Sequence, residues 1–325
     1  MIAVNLVGRI GNQLFEYAMA EALRQKRGNR EKIIFYDYGI RKLNWENSLE
    51  TYQLPNVEYR HEKYPSNVAT FIHKFISFLF YKIFEKETYN GLIKKERKYK
   101  RILNKYGLIL CQNGYIEGLY SDRRNIFVSG FFQSEKFFLE YKEEILCNLS
   151  VDFSVKAKGM AEVIKNRNTV CISIKVEHNV GSSLYDVCNN GYYVKGIKYI
   201  IDNVDNPLFF ICSDNVPYVL ENLIDTRKFD CICQDKDLPV TESLALMGLC
   251  KHFILSNTSF GWWAQYLSKY EKKIVIAPNR WMRVNMPIDI YCHNWKLIDV
   301  EDYVNYSICL LYTSPSPRDR SLSRM

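Results

Sequence analysis

With 325 residues, 47% of them apolar, the chain is long enough for two ordinary globular domains and apolar enough to bury a core in each. Its formal net charge of +8 comes from lysines and arginines spread along the sequence, which excludes the dense basic footprint of a nucleic-acid-binding protein. The ten cysteines lack paired metal-binding spacing and the N-terminus lacks a signal-peptide pattern, so we expect reduced thiols in a cytoplasmic protein.

The N-terminal segment has the pattern strand, glycine turn, helix, strand. A buried-strand pattern at residues 2–7 precedes a turn with Gly8 and Gly11, and an amphipathic helix then leads to a second strand at 32–36. The spacing Gly8-x-x-Gly11 is too loose for the dinucleotide-binding fingerprint, which has a third glycine and an acidic residue after the next strand. The two glycines therefore indicate a tight turn, which either contacts a ligand or only redirects the chain.

Residues 44–113 mix aromatic, charged and loop-like pieces, and we expect helices there. The most apolar segment, 68–84, contains His73, Lys74 and Lys82, which argues against a membrane span. We interpret it as a buried or half-buried helix, with a membrane-surface or partner-binding helix as the alternative. A strand at 126–130 and a helix at 141–149 complete the first half.

The second half alternates strands with helices, which predicts a parallel sheet with right-handed crossovers. We place a domain boundary near residues 150–158. This gives an N-terminal α/β domain with a helical insertion (1–150), a C-terminal Rossmann-like domain (151–307), and a Ser/Pro/Arg-rich tail (308–325) that we expect to be disordered and that resembles translated vector sequence. Strands are predicted at 170–174, 208–212, 230–233, 252–255 and 273–277, with helices at 192–202, 217–222, 241–250 and 260–268.

Polar residues collect at the predicted carboxyl ends of these strands, where open parallel sheets bind ligands. A cation, a carboxylate and a helix N-terminus on one rim suit a nucleoside diphosphate. For the stretch that begins with the strand at 252–255, the alternative is a well-capped core helix that binds nothing. The residues of this rim are Lys175, Glu177, His178, Ser213, Asp214, Asn257, Thr258, Ser259, Phe260, Asn279 and Arg280.

Two further features allow more than one interpretation. Asp235-Lys236-Asp237 follows a strand and resembles the metal-binding Asp-x-Asp of some sugar-nucleotide enzymes, but loop aspartates are commonplace, and we expect no metal. His178 is a possible general base, although a lone loop histidine more often has no catalytic role.

Five blocks of sequence resemble the α-1,2-fucosyltransferases of glycosyltransferase family 11. Residues 7–18 are similar to the family's Gly-x-Gly-Asn-Gln-Met-Phe-Gln-Tyr-Ala opening, and residues 130–138 to its Gly-Tyr-Phe-Gln-Ser-Glu-Lys-Tyr-Phe block. Residues 210–214, 256–263 and 275–281 resemble three later blocks. Order and spacing agree from residue 4 to about 300.

One block departs from the family. The family usually has His-x-Arg-Arg-Gly-Asp-Tyr where this chain has residues 173–179. Lys175 takes the place of an arginine that binds the β-phosphate of GDP-fucose, Val176 replaces the other arginine, and His178 replaces the aspartate. Lysine keeps the charge but loses the two-pronged geometry of arginine. A different nucleotide-sugar donor, or a catalytically silent glycan- or nucleotide-binding homologue, are therefore the alternatives to a fucosyltransferase.

The resemblance implies a GT-B-like fold, in which two Rossmann-type domains with parallel sheets face a cleft. It also implies inverting, metal-independent transfer of fucose from GDP-fucose to a galactose-type hydroxyl of an oligosaccharide, as part of surface-glycan synthesis. No cofactor besides the donor is expected, nor is a nucleic-acid partner. We expect the enzyme in the cytoplasm, peripheral on the inner face of the membrane.

The resemblance also assigns expected roles to residues. Lys175 and the N–H groups at residues 258–260 would stabilise charge growing on the β-phosphate. Asn12 would face the donor sugar from the Gly8–Gly11–Gln13 loop. Ser213, Asp214 and Glu242 would support the nucleoside or the phosphate loop, and Glu177 or His178 would serve as base unless leaving-group stabilisation alone drives the step.

Overall fold

The computed structural model describes residues 1–63 and 65–300 of the chain. Within these residues the protein consists of two α/β layers, each built around a parallel sheet. The predicted tail at 308–325 lies outside the described residues.

The first sheet contains five strands within the described residues. They are β1 (Ile2–Asn5), β2 (Ile33–Tyr36), β3 (Val57–Arg60), β4 (Leu108–Cys111) and β5 (Ile126–Gly130). Their spatial order is β3-β2-β1-β5-β4, and every pairing is parallel. The accompanying helices are α1 (Ile10–Lys26), α2 (Tyr38–Arg41), α3 (Val68–Ile83), α4 (Tyr89–Lys105) and α5 (Lys142–Cys147).

The second sheet contains six strands within the described residues. They are β6 (Asn168–Ile174), β7 (Pro207–Ser213), β8 (Cys231–Cys233), β9 (His252–Leu255), β10 (Val275–Pro278) and β11 (Lys296–Ile298). They pair in parallel in the order β11-β10-β9-β6-β7-β8. The helices of this half are α6 (Val155–Lys165), α7 (Asn190–Asn203), α8 (Val216–Asn222), α9 (Val240–Gly248) and α10 (Ser259–Leu267). The fold is the expected α/β, GT-B-like pair of Rossmann-type domains.

The predicted strands are present within one or two residues, but three strands were not predicted. β3 and β4 lie in the segment 44–113, and β11 lies near the end of the second sheet. All three are edge strands of only three or four residues. The chain passes from one sheet to the other between Gly130 and Asn168, an interval that contains the predicted boundary at 150–158; the division into domains stays a prediction.

The two layers share one hydrophobic core, which is centred on α1 and α10. The ring of Phe15 lies 4.5 Å from that of Trp262 and 5.2 Å from that of Trp263, centroid to centroid. Phe138, which follows β5, stacks on Trp263 at 5.8 Å. Both tryptophans are fully buried, so they pack the junction between the layers rather than contact a ligand.

Helix α3 confirms the helix predicted at 68–84. One side of it is buried against the first sheet, whereas its outer side exposes large apolar residues. Among the described residues, no helix combines the length and the hydropathy that crossing a bilayer requires.

Candidate functional site

The strand orders place two topological switch points beside each other. In the first sheet the order reverses between β1 and β5, and in the second between β6 and β9. Ligands of open α/β sheets bind outside the carboxyl ends of the strands at such points. The loops that follow these four strands therefore form the candidate site.

Lys175 follows β6 and is held by the residue that ends the neighbouring strand. Its ammonium group forms an ion pair with the carboxylate of Asp214, just beyond β7. The same carboxylate accepts hydrogen bonds from the backbone N–H groups of Val176 (2.8 Å) and Glu177 (3.2 Å). Asp214 thus shapes the turn that carries Lys175, which is about one-fifth exposed, while Glu177 and His178 are exposed beyond it.

Helix α10 begins beside this turn, directly after β9. Thr258 caps it, because its hydroxyl accepts a hydrogen bond from the N–H of Gly261 at 3.1 Å. The first N–H groups of the helix, including those of Ser259 and Phe260, lack acceptors within the helix and carry the positive end of its dipole. Lys175 and this helix start therefore lie at the carboxyl ends of two neighbouring strands, β6 and β9.

Asn257 has a different part in the site. Its side-chain amide donates to the carbonyls of Tyr185 (3.0 Å) and Trp281 (2.9 Å), and its oxygen accepts from the amide of Asn179 (3.3 Å). The side chain is buried and ties the loops after β6 and β10 to the start of α10. A direct contact between Asn257 and a donor stays a prediction.

The glycine loop after β1 is organised by buried polar side chains. The amide of Gln13 donates to the carbonyls of Gly8 (3.1 Å) and Glu46 (2.8 Å), while its oxygen accepts from the N–H of Ser48 (3.0 Å). Asn12 is half-buried and accepts a hydrogen bond from the side chain of Gln133, after β5, at 2.8 Å. Gln13 therefore holds the loop, and Asn12 lies where the two strands of the first switch point end.

Gly11 connects the two halves of the site. A Cβ atom added to Gly11 would lie 2.5 Å from the hydroxyl oxygen of Ser259 and 2.7 Å from the backbone nitrogen of Phe260. Only a residue without a side chain permits this approach between the starts of α1 and α10. The structure thus brings together the two glycine-containing blocks on which the sequence analysis depended.

Two predicted site residues serve the framework. Glu242, in the first turn of α9, accepts hydrogen bonds from the N–H and hydroxyl of Ser154, the residue that caps α6. Ser213 accepts from the N–H of Asn215 at the start of α8. Of the two loop aspartates, Asp235 forms an ion pair with Lys156, whose ammonium group lies 3.9 Å from Asp237.

A shallow pocket lies beside Lys175, under the loop that follows β6, and is lined by residues that include Tyr185, Cys188, Tyr193 and Ser256. The hydroxyl oxygen of Ser256 is buried and has no hydrogen-bond partner among the described residues.

A second polar cluster, which the sequence analysis missed, lies at the same edge of the first sheet. Asp37 follows β2 and is fully buried, and its two oxygens lie 2.9 and 3.0 Å from the Nδ1 atom of His61, which follows β3. Arg41 (2.7 Å) and Asn47 (3.1 Å) also donate to Asp37. Burial alone would raise the pKa of Asp37, but the hydrogen bonds from Arg41, His61 and Asn47 hold it below its ordinary value.

Asp37, His61 and Glu50 bring three ligand-capable atoms within 4.8 Å of one another. Arg41 donates to both carboxylates, at 2.7 Å to Asp37 and 2.8 Å to Glu50, and supplies the compensating positive charge. In the sequence, the position of Asp37 directly after the second predicted strand was the signal that could have indicated this cluster. His61 carried none, because β3 was not predicted.

Two parallel sheets whose switch points meet where Gly11 approaches the start of α10 define the class of two-domain α/β proteins that bind ligands between their sheets. The family model "Glycosyl transferase family 11" matches residues 1–299, and the chain belongs to this family; it is a glycosyltransferase. It is 27% identical over 293 residues to the alpha-1,2-colitosyltransferase of Escherichia coli, covering 86% of this chain and 92% of the relative. It is 24% identical over 304 residues to the O-antigen biosynthesis glycosyltransferase WbnK of Escherichia coli, covering 89% and 98%.

Solved structures with a similar fold are more distant in sequence. The fucosyltransferase NodZ from Bradyrhizobium aligns with a TM-score of 0.49 and 10% identity, over 82% of this chain and 93% of that one. The ADP-heptose lipopolysaccharide heptosyltransferase II of E. coli aligns with a TM-score of 0.42 and 12% identity, over 98% and 96%.

Proposed function

We propose that this glycosyltransferase transfers fucose, or a closely related deoxy sugar, from a GDP-linked donor to a galactose-type hydroxyl of a surface glycan such as an O-antigen. The observation that carries the proposal is the close approach of Gly11 to the start of α10, which lies at the end of β9, next to the strand β6 that leads to Lys175. The family and its α-1,2-colitosyltransferase relative support the sugar class and the linkage.

The chemistry is a single displacement with inversion at the anomeric carbon. As the glycosidic bond to the nucleotide breaks, negative charge grows on the β-phosphate. Lys175 and the N–H groups of Ser259 and Phe260 are the groups that would stabilise this charge. Because they provide the positive charge that a divalent cation supplies in other glycosyltransferases, transfer should proceed without a metal.

The donor sugar is the part of the proposal with a real alternative. Lys175 stands where the fucosyltransferase pattern has arginine, and one relative is a colitosyltransferase, so colitose, which is fucose without its 3-hydroxyl, is the second candidate. A donor linked to another nucleotide, or a silent binding homologue, would follow if GDP did not bind or did not support turnover.

The general base in this proposal is His61. Its Nδ1 is held by the buried, ionised Asp37, which leaves Nε2 to accept the proton of the acceptor hydroxyl. Residues 46–48 connect Gln13 directly to the His61–Asp37 pair. Gln13 binds the backbone of Glu46 and Ser48, and the side chain of Asn47 between them donates to Asp37. Glu177 and His178, the predicted alternatives, are exposed like His61 but lie in the opposite domain, in the loop that carries Lys175.

The acceptor glycan would be assembled on the cytoplasmic face of the membrane, where nucleotide sugars are available. We accordingly propose a cytoplasmic enzyme that associates with the inner face of the membrane.

Titration calorimetry with GDP and UDP, followed by turnover of GDP-fucose and GDP-colitose with galactose-terminated oligosaccharides, tests the proposal. We expect GDP to bind and one of the two sugars to be transferred. Binding of UDP without GDP would contradict the donor, and GDP binding without any turnover would indicate a silent homologue. His61→Ala should lower kcat roughly 100-fold with His178→Ala as the control that keeps it; equal activity of the two variants would rule out His61 as the base.

A further inference from the structure

The outer face of α3 is the largest apolar feature that the described residues leave exposed. Phe75 is 57% exposed, Phe78 64% and Ile83 64%, and further apolar residues of the same helix accompany them. The exposed positions follow the spacing of one helical face and are Val68, Phe71, Ile72, Phe75, Ile76, Phe78, Leu79 and Ile83. The helix thus exposes its most apolar face, whereas the side that packs against the protein carries Thr70, Ser77, Phe80 and Tyr81.

A row of cations lies on the neighbouring helix α4. Lys94, Lys98, Arg101 and Lys105 are exposed and are spaced four, three and four residues apart, so they share one face. The acidic residue within α4, Glu96, is buried and accepts a hydrogen bond from Tyr81 of α3 at 3.0 Å. No carboxylate of α4 therefore offsets these cations on the surface.

The two helices cover the same side of the first sheet. Phe80 of α3 and Leu103 of α4 pack in one cluster with Leu108 and Leu110, which are alternate residues of β4 and so point to one face of the sheet. The exposed apolar residues of α3 and the cation row of α4 both lie opposite these buried contacts, and they consequently face outward together. We call this combined area the α3–α4 surface.

We propose that the α3–α4 surface docks on a bilayer that contains anionic lipids, with the apolar face of α3 in the interface and the cations of α4 on the headgroups. Monomeric proteins rarely expose continuous apolar patches of this extent, and a 16-residue helix offers a stripe roughly 24 Å long. An apolar helix face next to lysines and arginines is the pattern of interfacial membrane helices. The cation row selects an anionic lipid surface over a second copy of the chain, whose α3–α4 surface would carry the same charges.

This inference names the surface that the proposed membrane location requires, but its test does not depend on donor or acceptor. The full chain is sedimented with vesicles of phosphatidylcholine alone and with vesicles that also contain phosphatidylglycerol, in the absence of any nucleotide. We expect binding to the anionic vesicles only. Phe75→Asp/Phe78→Asp should weaken vesicle binding at least about tenfold, because burying one phenylalanine side chain in the bilayer interface contributes at least that factor in affinity. Lys98→Glu/Arg101→Glu should also weaken it about tenfold, in a salt-dependent manner.

The matched control is Val155→Asp/Val194→Asp, which introduces the same two charges at apolar positions of the second domain that are 88% and 52% exposed. This variant should bind vesicles nearly as wild type, and melting curves of all three variants should agree. Equal binding of Phe75→Asp/Phe78→Asp and wild type, or no binding of the wild type, would overturn the proposal. So would a wild-type dimer in light scattering that the same pair of substitutions dissociates without any vesicle binding. GDP binding measured in parallel would still test the proposed donor separately.

Discussion

The loop after β1 and the loop after β6 occupy equivalent places at the two switch points, yet they use their polar side chains differently. In the first, Gln13 and Asn12 bind other parts of the same domain and are buried or half-buried. In the second, Asp214 braces the backbone so that Lys175 reaches the cleft, while Glu177 and His178 are exposed. The polar side chains of the first loop therefore stabilise its own domain, whereas the second loop carries the charge that would act on a donor.

Lys175 should produce the largest functional effect if the second loop is the active one. Lys175→Ala removes a cation from the growing phosphate charge, and we expect kcat to fall by about 10²–10³. Lys175→Arg should restore most of the activity, since the family pattern has arginine there. Steady-state kinetics with the preferred donor measures both variants. Unchanged turnover in Lys175→Ala would show that this loop does not bind the phosphate.

A substitution at Gly11 tests whether the loop after β1 must approach the start of α10, which lies beside the loop after β6. Gly11→Ala places a methyl group 2.5–2.7 Å from Ser259 and Phe260, so the two helix starts must separate. A displacement of this kind costs activity about 100-fold and stability about 1–3 kcal/mol. Gly159→Ala in α6 is the control, because nothing lies within 4 Å of the added atom. Equal melting temperatures and rates for the two variants would contradict the close approach.

A substitution at Gln13 tests how far its hydrogen bonds stabilise the loop after β1. Gln13→Ala leaves the buried N–H of Ser48 without its acceptor and removes the donor to the carbonyls of Gly8 and Glu46, which should lower the free energy of unfolding by roughly 1–3 kcal/mol. Denaturant unfolding measures this. If Gln13 instead binds the donor, the variant would keep its stability and lose affinity for GDP.

Sequence reasoning predicted the fold and most of the residues that the structure gathers at the candidate site, because both depend on local patterns. Alternating buried strands and capped helices gave the second sheet, and the residues after each strand gave Lys175, Asp214 and the start of α10. It could not distinguish framework from contact residues: Gln13, Asn257 and Glu242 differ from Lys175 only in which distant backbone groups they meet. His61 was missed because β3 is a short edge strand that is only half-buried.

Glu16 offers a subtler test of the first loop through pH. Burial raises the pKa of Glu16 well above its ordinary value of 4.5, against the opposing hydrogen bond from the N–H of Val7. The folded protein therefore keeps a proton that the unfolded chain loses, so this contribution to stability is fully present below pH 4.5 and is lost as pH rises toward the folded-state pKa. Glu16→Gln, the residue of the family pattern, should flatten the dependence of unfolding free energy on pH, whereas the exposed Glu162→Gln should not. Identical pH profiles for Glu16→Gln and wild type would contradict a buried, protonated carboxyl.

The smallest effect is expected at Asp235 and Asp237, which lie outside both loops. Lys156 forms an ion pair with Asp235 and lies 3.9 Å from Asp237, and in the proposed mechanism the positive charge at the donor phosphate comes from Lys175 and the start of α10. Asp235→Ala/Asp237→Ala should therefore leave kcat and donor affinity unchanged, and EDTA should not alter the rate of the wild type or the variant. The contrary outcome is a loss of activity in EDTA that Mn²⁺ or Mg²⁺ restores in the wild type but not in the variant. It would mean that a metal bound by these aspartates, and not the loop after β6, stabilises the departing phosphate. In that case the loop around Gly11 would face a metal site rather than Lys175, and the loop after β6 would not be the source of positive charge.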